Sequence, residues 1–126
     1  MLNVIQPTSD MSVAVVGVGG VGMAAVMALK LLEHPPKRII AIDVIPSRLQ
    51  MARKYGATHG VNSKLRPDLM KVLLEITKGG GVDGAIDTTG RPEVIKGLTH
   101  SAARRGKIVT VGVGNVSRSE SKLRAD

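Results

Sequence analysis

The sequence predicts an α/β fold, a doubly wound parallel sheet, and three observations predict it. Apolar runs rich in β-branched residues alternate with segments of helical spacing along the chain, as strands buried on both faces require. One such run, Val13-Ala14-Val15-Val16, passes into the glycine turn Gly17-Val18-Gly19-Gly20-Val21-Gly22, which opens a helix. A second, Arg38-Ile39-Ile40-Ala41-Ile42, closes on Asp43, 21 positions beyond Gly22.

Strand, GxGxxG turn, helix, strand and acid in that order are the elements of a dinucleotide-binding (Rossmann) domain. Gly17 permits the tight turn. Gly19 lets backbone approach a pyrophosphate with no Cβ in the way. Gly22 lets the helix pack close to the strand. The helix start offers unpaired N–H groups and a partial positive charge to phosphates. Asp43 can accept from both adenine-ribose hydroxyls and would repel a 2′-phosphate, which favours NAD over NADP.

The remaining elements follow in β-α-β order. The first helix runs from Val21 to Leu32 and is ended by Pro35-Pro36. Pro46 suits a first helical turn, and that helix reaches about Tyr55 with Gly56 as its C-terminal stop. His59 to Asn62 reads as a short strand. Asp68 to Thr77 carries Leu69, Val72, Leu73 and Ile76 at helical spacing, and Gly79-Gly80-Gly81 breaks it. Val82 to Thr88 is a fourth strand, Pro92 to about Ala103 a helix, and Gly106 to Val113 a fifth strand. Right-handed crossovers give the strand order 3-2-1-4-5. Residues 1–113 thus form one domain. Residues 114–126 are polar and charged and are expected to be a disordered tail.

Composition bounds the function. The chain has 126 residues, enough for one core, with 43% hydrophobic residues and Tyr55 as the sole aromatic. Cysteine is absent, which excludes disulfides, thiolate nucleophiles and cysteine-held metals. There is no leader pattern and no apolar stretch of ~18 residues, so the expected setting is cytoplasmic, away from membranes. The formal charge is +8, but the basic residues are scattered and no aromatic stacking platform accompanies them, which argues against nucleic acid.

In the predicted sheet, strands 1 and 4 flank the point where strand order reverses, so their C-terminal ends line the ligand crevice. Thr88, Thr89, Gly90 and Arg91 end strand 4. Val111, Gly112 and Val113 end strand 5.

The runs SVAVVGVGGVGMAAVMALKLL, RIIAIDVIPSRLQMARKYGATHGVNS, GGGVDGAIDTTGRPEVI and GKIVTVGV resemble the cofactor domain of medium-chain, zinc-type alcohol dehydrogenases, nearest to the aryl- or benzyl-alcohol branch. The resemblance covers Asn3 to Val113. It implies that Gly17, Val18, Gly19, Gly20, Val21 and Gly22 cradle the pyrophosphate, with Val21 against the nicotinamide. It implies that Asp43 and Arg48 hold the ribose, that Thr88, Thr89 and Arg91 border the adenosine, and that Val111, Gly112 and Val113 face the nicotinamide end. In that family the zinc ligands, substrate pocket and proton relay belong to a separate, mostly N-terminal domain. The resemblance therefore implies an excised or naturally truncated oxidoreductase domain that starts in the interdomain helix and stops before a sixth strand. It would bind NAD weakly, hold no zinc and transfer no hydride alone.

Within the chain itself, His34, His59 and His100 are not at ligand spacing, and no serine lies in a nucleophile motif. Asp83 and Asp87 share a strand face, the spacing of a conceivable acid/base pair. The alternative function is a stand-alone homologue that lost redox activity and serves as an interaction module, or catalyses an isomerisation or cyclisation in the former cofactor crevice. With no sixth strand, the edge of strand 5 would invite a homodimer, unless the tail from Gly114 folds back over it.

Overall fold

The computed structural model describes residues 2–112 and 115–119. In chain order the elements are α1 (Leu2–Ile5), β1 (Ser12–Val16), α2 (Gly20–Lys30), β2 (Arg38–Asp43), α3 (Pro46–Lys54), β3 (His59–Asn62), α4 (Leu69–Ile76), β4 (Val82–Asp87), α5 (Pro92–Ser101), β5 (Ala102–Gly112) and β6 (Asn115–Ser119). They build one sheet in the order β3-β2-β1-β4-β5-β6. The five strands read from the sequence are parallel and in the expected order.

Alternation along the central strands divides the interior into two layers. Val13, Val15, Ile39, Ala41, Ile86 and Val109 point to one side, where they meet Val26 and Leu29 of α2 and Ala52 of α3. Ala14, Val16, Ile40, Ile42, Ala85 and Ile108 point to the other, against Leu69, Val72 and Leu73 of α4 and Leu98 of α5. Every residue of β1 is buried, as expected of the middle of a parallel sheet covered on both faces. Leu29, Ile40, Leu73, Ile86 and Leu98 have no appreciable exposure, and burying each such side chain contributes roughly 1.5–3 kcal/mol. This packing gives a rigid floor to the C-terminal ends of β1, β2 and β4. Val16 is level with Ile42 on one side and with Asp87 on the other.

Two element bounds are corrected at the far edge. The helix expected to reach Ala103 ends at Ser101, because Ala102 already has extended backbone (φ −73°, ψ 145°). The next strand begins there and not at Gly106. Its register slips between the pairs Val82–Ala102 and Gly84–Lys107, with Arg105 in the left-handed region at φ +66°. Beyond the five parallel strands, β6 lies antiparallel to β5, from Gly112–Asn115 to Ile108–Ser119. Strand pairing is made by backbone N–H and C=O groups, so a polar segment can satisfy an edge that apolar patterning does not mark. β6 thus lies along the β5 edge that the sequence offered either to a second copy or to the chain's own tail. Residues 113, 114 and 120–126, Val113 among them, lie outside the described residues.

Candidate functional site

The site is built where β1 runs into α2. Gly17 adopts φ +83°, a conformation that costs glycine little and other residues more, and its N–H donates to the Ile42 carbonyl at 2.8 Å. A Cβ on Gly17 would stand 2.2 Å from Thr88 Oγ1, and one on Gly22 would stand 1.8 Å from the Gly17 carbonyl oxygen. These two glycines are therefore demanded by the protein's own packing.

Gly19 and Gly20 are not. A Cβ on Gly19 would meet only the Arg48 guanidinium, at 3.8 Å, and one on Gly20 would meet nothing within 4 Å. Both stand at the start of α2, which has no side-chain cap and no acidic residue in its first turn. The first N–H groups of a helix have no intrahelical acceptor, and the dipole makes that end positive. Open space, free donors and positive potential coincide at this point, the combination that receives an anion.

Asp43 ends β2 beside the turn and is 7% exposed. Its Oδ2 accepts from the Val18 N–H at 2.9 Å. Its Oδ1 accepts from the N–H groups of Val44 and Ile45 at 2.7 and 3.0 Å. A carboxylate has about four acceptor directions, so three are taken and one remains. Arg48, one turn into α3 and half exposed, brings Nη1 to 3.9 Å from Asp43 Oδ2. The acid is thus a brace for the glycine turn as well as a group available to a ligand.

At the end of β4, Thr88 is a clasp. Its N–H donates to the Val16 carbonyl at 3.0 Å, and its hydroxyl lies 2.9 Å from the carbonyl oxygens of both Val16 and Gly17. This ties β4 to the glycine turn across the point of strand reversal. Thr89 and Gly90 instead bind Asp87: the Thr89 N–H and hydroxyl donate to Oδ1 at 2.9 and 2.7 Å, and the Gly90 N–H donates to Oδ2 at 3.0 Å. Asp87 is fully buried and satisfied by its own loop. At the opposite end of the strand, Asp83 Oδ2 accepts from the Ser12 N–H at 2.8 Å. The conceivable acid/base pair is thus two separate structural braces.

The structure brings Gly17, Val18, Gly19, Asp43, Arg48 and Thr88 into one constellation. Val21, on the first turn of α2, is half exposed. Val111 and Gly112 continue past the Asp87–Thr110 pair, at the same end of the sheet. Arg91 pairs with Glu93 at 2.7 Å, both well exposed, and lines a cavity of about 430 Å³ floored by Val16 and Ile42, next to Gly17 and Asp43, and walled by Ser63, Pro67 and Leu69. Sequence reasoning missed Val44 and Ile45, whose N–H groups hold Asp43 and whose side chains are 47% and 37% exposed. Their signal was an apolar pair directly after the acid and before Pro46. Among the described residues no three His, Asp or Glu side chains gather as a metal would need. His59 shares a hydrogen bond with Thr58 Oγ1, and burial, with help from the charges of Arg38 and Arg53, holds its pKa below the usual histidine value.

A family model described as zinc-binding dehydrogenase matches residues 20–125. The chain is 38% identical over 109 residues to sorbitol dehydrogenase of Bacillus subtilis, covering 86% of this chain and 30% of that protein. It is 36% identical over 119 residues to S-(hydroxymethyl)glutathione dehydrogenase of Synechocystis, covering 93% of this chain and 31% of that one. Among solved structures, benzyl alcohol dehydrogenase from Acinetobacter calcoaceticus superposes with a TM-score of 0.80 at 36% identity, over 95% of this chain and 32% of that one. The chain spans about a third of the length of these relatives.

Proposed function

The chain belongs to the zinc-binding dehydrogenase family, and from that premise we propose that it is the NAD(H)-binding part of a zinc-type, alcohol dehydrogenase-like oxidoreductase. One observation carries the reading. Two glycines of the turn are required by internal packing, whereas Gly19 and Gly20 leave an open face over the donor end of α2. A glycine that the fold itself does not need is explained by a ligand that must come close to backbone. The residues present therefore fit a dinucleotide.

In this reading the N–H groups at the start of α2 hold the pyrophosphate. Asp43 gives its remaining acceptor direction to one ribose hydroxyl, and the second hydroxyl is left to the Arg48 side of the site. This narrows the expectation that Asp43 takes both. A phosphate on that ribose would lie against a largely buried carboxylate, which favours NAD over NADP. Val44 and Ile45 give the adenine an apolar wall beside the acid. Val21 and Val111 do the same for the nicotinamide and keep water from its face. The nicotinamide, when bound, supplies hydride chemistry. The substrate pocket, the alcohol and the zinc site of the whole enzyme belong to this proposal through the family alone.

Titration calorimetry with NAD and NADP tests the assignment. Asp43→Ala should lower NAD affinity by about 1–3 kcal/mol through loss of a charge-assisted hydrogen bond. Equal or tighter NADP binding by the unmodified chain would sink the cofactor assignment.

A further inference from the structure

We propose that the outer edge of β3 is a docking strand for an extended acidic peptide of a partner protein. The sheet order leaves β3 at the edge, and among the described residues it pairs only with β2, from Ile40–His59 to Asp43–Asn62. An edge strand presents a row of N–H and C=O groups that a further strand can take.

Here the edge lies in a groove. A cavity of about 340 Å³ follows β3, with Arg53 of α3 on one side and Leu65, Arg66 and Ile76 on the other. This is the form of a strand-addition site, a sheet edge flanked by walls that read side chains. Gly60 is exposed, and a Cβ there would have Arg53 and Leu49 as its nearest neighbours, at 3.5 to 3.8 Å. Leu65 is 77% exposed at the rim and offers an apolar anchor.

Charge chooses the occupant. Arg53 and Arg66 line the groove, and no Asp or Glu stands among its lining residues. Arg66 pairs with Glu75, and Arg53 adds a cation on the opposite wall. A second copy of this chain, at net +8, is a poor match; an acidic segment is a good one. Alternating acidic and apolar side chains would put carboxylates toward Arg53 and an apolar group on Leu65.

The test uses the full chain, isotope-labelled, and an eight-residue peptide alternating Val and Asp. Amide shifts should centre on His59–Asn62, Arg53 and Leu65-Arg66. Arg53→Glu, at an exposed position, should weaken binding about tenfold or more and keep the circular dichroism of the parent. Two peptides N-methylated in opposite phases separate strand addition from simple charge attraction. One phase should lose binding about tenfold and the other keep it, because only alternate peptide N–H groups face the strand. Equal binding of both methylated peptides, shifts centred on α2 rather than β3, or equal binding of a Val/Lys peptide would overturn the proposal. So would self-association through β3 in the absence of peptide.

Discussion

Replacing the turn glycines one at a time by alanine separates packing from binding. A Cβ on Gly22 would overlap the Gly17 carbonyl oxygen at 1.8 Å and its carbonyl carbon at 2.8 Å, and both are backbone. No side chain can swing away, so either the turn or α2 must shift. Such overpacking costs about 1–3 kcal/mol or more, and alanine's better helix propensity returns only about 1 kcal/mol. Gly22→Ala should therefore be clearly destabilised. Gly20→Ala meets nothing within 4 Å and should be unchanged or slightly stabilised, by at most about 1 kcal/mol. Gly19→Ala meets only the Arg48 guanidinium at 3.8 Å, so its stability should stay within about 1 kcal/mol of the parent. Its NAD affinity should nevertheless fall about tenfold, or about 1.4 kcal/mol, because the new Cβ stands where the phosphates approach. Urea unfolding followed by circular dichroism gives the stabilities, and calorimetric titration the affinities. A Gly22→Ala chain as stable as the parent would refute the packing argument. A Gly19→Ala chain that binds NAD as the parent does would refute the phosphate cradle.

Thr88→Val should cost about 1–3 kcal/mol in urea unfolding, because it removes the hydroxyl that holds the Val16 and Gly17 carbonyls, and Thr88→Ser should recover most of that loss. His59 is held below its ordinary value of 6.5, so from its lowered folded value up to about 6.5 the unfolded chain binds the proton more tightly. Stability should accordingly fall as pH drops from 6.5 through that window, and His59→Gln should flatten this part of a pH–unfolding profile. The 126-residue chain by itself should form no NADH from an aryl alcohol, with or without added zinc, because it has no cysteine and Asp83 and Asp87 are both engaged by backbone amides. Protein-dependent NADH formation that Gly19→Val abolishes would contradict this expectation.

The parallel core and the turn were legible in the sequence because they depend on local, short-range demands. Continuous apolar runs at Val13–Val16 and Arg38–Ile42 can only be buried on two faces. Gly17 and Gly22 are needed because a left-handed φ and a close helix-to-strand contact leave no room for a side chain. Asp43 read as a candidate ligand group from its place at the end of the second strand, 21 positions beyond Gly22. Its second task was not, since the bond from Val18, 25 positions away, arises only once β2 lies beside the turn, whereas those from Val44 and Ile45 are local. Thr88 read as a crevice residue for the same reason: its hydroxyl meets Val16 and Gly17 from 72 and 71 positions away, a contact that sheet register alone creates. The β3 edge was legible in the strand order, but the edge beyond β5 was decided by tertiary structure. β6 has no apolar signature, yet it pairs with β5, because backbone hydrogen bonding is blind to the side chains that sequence patterning reads.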